Sequence, residues 1–391
     1  MPLWGVEMKL DTFAVPFTAD RRMAYAAAYL EQCSYRQVEE VQAADFVLLP
    51  VPAKDYMLEG LDGKTVFLGG GSYPGTLDYC KNENFAEKNG IHAYSSYEEV
   101  LADAAVDAVV IAVPNDCHKE LVIKALEKGK NVICEKPVEM SVAALDEMIA
   151  AADKSGKFFT VHQNRRWDVD FLAMKQIVNS GEIGELINIE SRIHGSRGIP
   201  SDWRCHKPYG GGMILDWGVH LIDQILQIIK EKIVSVYCTV TNITTDEVDD
   251  GFKLTLYFES GKTAYIEVGT YNFIAMPRFY LQCKNGSAII EDWQKKAQVA
   301  RMKAWNEKEV LPVQTAAGIT KTMAPRDEIT LDMYEVERPV SDVHDFYRNF
   351  CAVLDKKAEP AIKHSEVRRV MQVMEAAFES SDKKQRIEVN I

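Results

Sequence analysis

Two short stretches hold groups able to steady charge and move protons. The first, VICEKPVEMS at residues 132–141, runs an apolar strand into Glu135-Lys136-Pro137. In open α/β sheets ligands sit at the carboxyl ends of the strands. A lysine followed by proline is restricted to extended backbone or a cis bond, so its ammonium is aimed. A cation held there lowers the cost of an alkoxide that develops as a hydroxyl gives up its proton. Taken alone, EKP is better read as a surface lysine at a strand end. The second stretch, GGGMILDWGVHLIDQILQII at 210–229, sets Asp216 and His220 four residues apart. On a helix that spacing puts both on one face, where the carboxylate can orient the imidazole or share a ligand with it. The apolar surroundings make this helix largely buried, and buried Asp and His without partners are costly. A satisfied core pair at a domain interface is an equally good reading of that spacing. No third ligand is identifiable, which argues against a metal.

Both stretches need elements to position them. Residues 8 to about 135 alternate β-rich runs with helical patterns: TFAVPF, ADRRMAYAAAYL, DFVLLPVP, KTVFLGG, a helix near 76–89, DAVVIAVP, a helix near 118–129, and NVICE. Such alternation predicts a parallel sheet covered by helices, because parallel strands need crossover connections. DAVVIAVP and NVICE read as strands buried on both faces. After Pro137 two helices, SVAALDEMIAAADKSG and DFLAMKQIVNSG, flank the strand FFTVHQ. Period-2 segments follow: IVSVYCTVTNI, GFKLTLYFES, KTAYIEVGTY and RFYLQCKNGSAIIED, with hairpin turns at Ser260-Gly261-Lys262 and Asn285-Gly286. Two amphipathic helices, DVHDFYRNFCAVL and SEVRRVMQVMEAAFESS, close the chain and are expected to pack back between the domains. The fold class is therefore α/β: a Rossmann-like parallel-sheet domain over residues 1–137, then an α+β domain over 138–391 with an open, mainly antiparallel sheet. An open sheet of this size needs its outer face covered, which predicts a homodimer or homotetramer.

The 391 residues, 47% hydrophobic, suffice for two cores. A net charge of −13 and a pI near 5.2 disfavour nucleic acid and anionic membranes as partners, and a small neutral molecule fits better. No apolar run approaches the roughly 20 residues of a membrane span, and no signal-peptide pattern opens the chain, so a cytoplasmic location is expected. Eight cysteines at 33, 80, 117, 134, 205, 238, 283 and 351 lack CxxC or knuckle spacing and read as reduced thiols.

The segments AVPNDCHKELVIKALEKGKNVICEKPVEMS, VHQNRRWDVDF and GGGMILDWGVHLIDQ together resemble the Gfo/Idh/MocA oxidoreductases, the family of glucose-fructose oxidoreductase and inositol dehydrogenase. The resemblance covers residues 85–391, and HQNRRWD is most similar to the scyllo-inositol and glucoside dehydrogenase branch. It implies NAD or NADP as cofactor and oxidation of a secondary hydroxyl on a sugar, glycoside or inositol. It implies that Lys136 polarises the substrate oxygen, that His220 acts as general acid and base, and that Asp216 orients substrate or imidazole. Pro114, Asn115 and His118 map near the nicotinamide and its ribose, with Glu135 and Lys136 reaching the cofactor from the strand end. Arg165, Arg166 and Trp167 after FFTVHQ, and Arg197, Trp203 and Arg204 in HGSRGIPSDWR, are substrate-binding candidates, because aromatic faces and guanidinium forks suit polyol hydroxyls. Ion pairs with Asp168 and Asp202 are the competing reading.

The opening departs from that family. Its first strand candidate ends VPFTADRRM, with no glycine to let a pyrophosphate approach. Residues 8–83 more closely resemble the amino-terminal half of a dipicolinate synthase. KTVFLGGGSYPGTLDYC offers Gly69, Gly71 and Gly75, a spacing compatible with phosphate binding at a helix N-terminus and equally with a plain tight turn. Tyr73, Pro74 and the lack of a later strand-end Asp favour the turn. Two alternatives follow: a sugar-binding or assembly protein on a cofactor-impaired scaffold, and a glycosidase that uses NAD transiently.

Overall fold

A computed structural model describes residues 94, 96–303 and 310–391, and before them only four strands: β1 (Thr12–Ala14), β2 (Arg36–Gln37), β3 (Phe46–Pro50) and β4 (Thr65–Gly69). The helices expected near 19–30 and 76–89 lie outside the described residues. The chain divides into two compact units, residues 1–102 and 103–391. In the first, β2-β1-β3-β4 pair in parallel throughout, with β1, β3 and β4 in the expected β-rich runs and β2 in a segment where no strand is expected, and helix α1 (Tyr97–Ala102) follows.

The second unit opens with a parallel βαβαβ arrangement. Strand β5 (Ala108–Ile111) leads through helix α2 (His118–Glu127) to β6 (Asn131–Cys134), and then through α3 (Val142–Ser155) to β7 (Phe159–Val161). The α3 helix starts where the Ser141 hydroxyl accepts the Ala144 N–H at 3.2 Å, an ordinary N-cap. Val132, Ile133 and Cys134 of β6 are buried, as expected for a central strand. The same expectation fails for β5, an edge of this three-stranded sheet, whose Val110 is 56% exposed.

Helix α4 (Val169–Ser180) then leads into a nine-stranded sheet built from β8 (Leu186–His194), β9 (Ile233–Thr241), β10 (Gly251–Phe258), β11 (Thr263–Gly269), β12 (Phe279–Cys283), β13 (Gly286–Ile290), β14 (Ala297–Met302), β17 (Leu331–Val336) and β18 (Ile387–Glu388). Between β14 and β17 a small hairpin forms from β15 (Val313–Thr315) and β16 (Gly318–Thr320). The order in the large sheet is β17-β14-β13-β12-β8-β11-β10-β9-β18, with all pairs antiparallel except β8 with β11. Alternation decides the buried face: Phe252, Leu254, Leu256 and Phe258 of β10 and Ala264, Ile266 and Val268 of β11 point inward.

Against that inner face lies helix α5 (Val219–Ile228), whose residues from Val219 to Leu226 are all buried, and α5 also contacts α7 (His364–Lys383). The α7 helix covers β9 and α3, and α6 (Asp345–Leu354) precedes it. Helix α7 thus joins α3, beneath the small parallel sheet, to the large sheet. Its Arg368 forks onto Asp146 of α3, and its Ser380 hydroxyl accepts the Cys238 N–H of β9. The consequence for chemistry is that β6, β7 and α5 are brought together within one folded unit.

Candidate active site

The site is assembled at the carboxyl end of β6. Past Cys134 the backbone is held once more, by the Glu135 N–H donating to the Ile111 carbonyl at 2.9 Å, and the Lys136–Pro137 bond is cis. Lys136 Nζ donates to the Asp216 carboxylate and to the Asp216 carbonyl, each at 2.9 Å, with both side chains 16% exposed. The other Asp216 oxygen lies 3.5 Å from Arg204 Nε. Burial pushes the Asp216 carboxyl up, but Lys136 and Arg204 outweigh it and hold the group below the usual range.

Asp216 sits in a π-helical turn, Ile214–Gly218, that precedes α5. Here the glycine run explains itself. A side chain on Gly211 would place a Cβ 2.3 Å from the Arg204 carbonyl oxygen. One on Gly212, which has φ +105°, would lie 2.3 Å from Asp249 Oδ1. Free of that clash, the Asp249 carboxylate accepts the Ile214 N–H at 2.7 Å and anchors the start of the turn. Burial pushes Asp249 up to about 7.

His220, one turn further, is buried, and its Nδ1 has no partner among the described residues. Burial first, and then the positive charges of Lys136, Arg165, His162 and Arg278, hold its pKa well below the usual value, so the imidazole is neutral at pH 7. The expected pairing of Asp216 with His220 does not form. The carboxylate is drawn instead to Lys136 and Arg204, and the wider π turn breaks the regular four-residue register.

The sequence candidates divide. Lys136 and Asp216 pair directly, His220 follows Asp216 on the next turn, and Glu135 precedes Lys136 with its carboxylate 2.6 Å from His162 Nδ1. Burial raises the Glu135 pKa, but the His162 contact and Lys136 lower it further, so it stays ionised. His118 is corrected: its two ring nitrogens face the Pro137 and Val113 carbonyls, each at 3.0 Å, so it clasps the EKP turn to the end of β5 and keeps no nitrogen for a nucleotide. Asn115 is buried and donates to the Gly210 carbonyl at 2.8 Å, tying the turn after Pro114 to the glycine run. Arg166 is corrected too. Its guanidinium forks onto Asp223 at 2.6 and 2.8 Å and reaches Glu366 and the Ala361 carbonyl, which commits four of its five N–H groups and clamps α5 to α7. Trp167 packs edge-on against Phe346. Arg197 lies exposed in the loop after β8, and Trp203 carries the Arg204 guanidinium on its face. Gly69 ends β4, while Gly71 and Gly75 lie outside the described residues.

The sequence does not single out His162, Trp217 or Trp293, and it does not separate Arg165 from its neighbour Arg166. Arg165 lies over the Trp217 ring at 4.2 Å and bonds Asp168, while Trp217 sets its edge against His220. The signal for Trp217 was its place between Asp216 and His220.

Five buried polar atoms near these groups have no partner among the described residues: His162 Nε2, both amide atoms of Gln163, Asn164 Oδ1 and His220 Nδ1. Each unpaired group costs about 1–3 kcal/mol unless a ligand or water meets it. Four of them lie on the loop that leaves the carboxyl end of β7, where an α/β sheet takes its ligand. Their mixture of donors and acceptors fits a nicotinamide carboxamide or a polyol.

A parallel βαβαβ sheet with a lysine at a strand end paired to an aspartate, and a buried histidine on the helix that follows it, suits a nucleotide-dependent oxidoreductase. Residues 78–163 match the GFO/IDH/MocA oxidoreductase family with its NAD-binding Rossmann fold, and residues 171–289 match the C-terminal domain of that family. A crystal structure of an NAD-binding protein from Listeria innocua is 38% identical, covering 98% of this chain and 100% of that one with a TM-score of 0.76. An uncharacterized oxidoreductase of Schizosaccharomyces pombe is 34% identical over 180 residues, which span 43% of this chain and only 47% of that protein. The scyllo-inositol 2-dehydrogenase (NADP(+)) of Bacillus subtilis is 27% identical over 294 residues, covering 74% of this chain and 81% of that protein. The chain belongs to the Gfo/Idh/MocA oxidoreductase family, and its NAD-binding Rossmann domain is recognisable from residue 78. The likeness of residues 8–83 to dipicolinate synthase falls mainly outside the described residues and finds no support in these matches.

Proposed function

We propose that the protein oxidises a secondary hydroxyl of a sugar, glycoside or inositol, with NAD or NADP as the partner. The observation that carries this reading is the Lys136 ammonium docked on the turn that leads into a neutral, buried His220. His220 takes the hydroxyl proton, since a neutral imidazole of depressed basicity accepts it transiently and returns it to solvent. Lys136 lies close enough to weigh on His220 electrostatically, and its charge lowers the cost of the developing alkoxide. Asp216 positions Lys136 and keeps its charge partly compensated in the resting site. Glu135, Pro114 and Gln163 would hold the nicotinamide end of the dinucleotide. When bound, that ring supplies the carbon that accepts hydride. The dehydrogenase of B. subtilis named above supports inositol as a candidate substrate.

The test is absorbance at 340 nm with NAD+ or NADP+ and a panel of inositols, glucose and glucosides. NAD(P)H formation with at least one of them is the expected result. Failure of all of them, together with no saturable NADH fluorescence, would favour a sugar-binding scaffold. Release of an aryl aglycone without net NADH would favour the glycosidase chemistry.

A further inference from the structure

Trp293 lies on the loop after β13, far in sequence from every residue used above, yet its ring stands 5.8 Å from that of Trp217 at an interplanar angle of 59°. Trp217 in turn stands 5.9 Å from the His220 imidazole. Two indoles therefore lead outward from the imidazole, and the outer one is 38% exposed. The platform is braced. The Arg165 guanidinium lies 4.2 Å from the centre of one indole and 5.3 Å from the other, and the Arg278 guanidinium is 5.1 Å from Trp293. The loop is pinned by Arg338 donating to the Trp293 carbonyl and by Asp292 accepting the Gln294 N–H. Arg165 commits one N–H to Asp168 and holds the rest beside the indoles.

A pyranose presents an apolar C–H face that stacks on an indole, and its hydroxyl rim suits a guanidinium. Under the function proposed above, a ring reacting at His220 lies nearest Trp217, and Trp293 is the next aromatic group outward from it. We propose that Trp293 and Arg165 form an outer subsite for a second ring, so that the substrate is a two-ring glycoside rather than a free monosaccharide or inositol. The inference deepens the function proposed above and rests on it for where the first ring lies.

The test is isothermal titration calorimetry on the full chain with NADH present, which blocks oxidation. Methyl β-D-glucoside serves as the one-ring probe and cellobiose and phenyl β-D-glucoside as two-ring probes. We expect both two-ring probes to bind about tenfold more tightly than the methyl glucoside. That ratio is expected to fall to near one in Trp293→Ala and to survive largely in Trp293→Phe, which keeps a ring. Equal affinity for all probes in the wild type, or the same ratio in Trp293→Ala, overturns the outer subsite. Turnover is read separately: a preserved affinity pattern in a protein that oxidises nothing sinks the dehydrogenase reading and leaves the subsite standing.

Discussion

Lys136 and His220 share a neighbourhood without sharing a hydrogen bond, and that arrangement sets how each responds to change. Removing the ammonium leaves Asp216 facing Arg204 alone and takes away the cation nearest the reacting oxygen. Lys136→Ala and His220→Ala are each expected to lower kcat by roughly 10²-fold or more; near-normal rates in both would reject the assignment. His220 also gives a pH signature. Its folded pKa is depressed, so the neutral base persists below the ordinary histidine value near 6.5. The acidic limb of kcat/KM is therefore expected below pH about 6.5, and a limb at or above that value would contradict the buried, neutral imidazole. Adjacent arginines show where reading residues one by one reaches its limit. Arg165 and Arg166 are indistinguishable as letters, but one faces the indoles beside His220 and the other is spent on Asp223 and Glu366. Only the local turn after β7 decides which is which. His118 fails as a cofactor ligand for a related reason, since the carbonyls that occupy its ring come from Val113 and Pro137, and no spacing rule announces them.

The element that matters most is the π turn Ile214–Gly218, held by a carboxylate 35 residues away. Folding raises the Asp249 pKa from near 4 to about 7, so the native chain holds a proton there that the unfolded chain has lost. Its stabilising contribution is present at low pH and is lost as pH rises through about 7. Asp249→Asn is therefore expected to shrink the fall in Tm between pH 5 and pH 8, and equal falls in variant and wild type would show that Asp249 does not titrate in this range. The strands and helices around the turn were mostly legible. Alternation marked β9 to β13, near-continuous apolar runs marked β5 and β6, and GGG before an apolar helix marked α5. The parallel pairing of β8 with β11 was not legible, because LINIESRIH carries the period of a strand and says nothing of its partner. Nor was the π turn, whose first N–H is held by an aspartate 35 residues away.

At the scale of the molecule, the large sheet offers one face to α5 and α7 and leaves the other with Ile187 and Tyr237 exposed on its strands. Phe273 and Ile274 project, exposed, from the loop between β11 and β12. Such apolar surface is expected to be covered by a second copy, so gel filtration or light scattering should report a multiple of 44.1 kDa, and a lone 44 kDa species would contradict this. Among the described residues no helix is long and apolar enough to cross a membrane. If Lys136 and His220 serve one hydroxyl, a double-mutant cycle in kcat measures that directly. Groups that act as a unit lose little more together than singly. We expect Lys136→Ala/His220→Ala to be no more than about threefold slower than the worse single variant. Losses that multiply would mean that the two residues work apart.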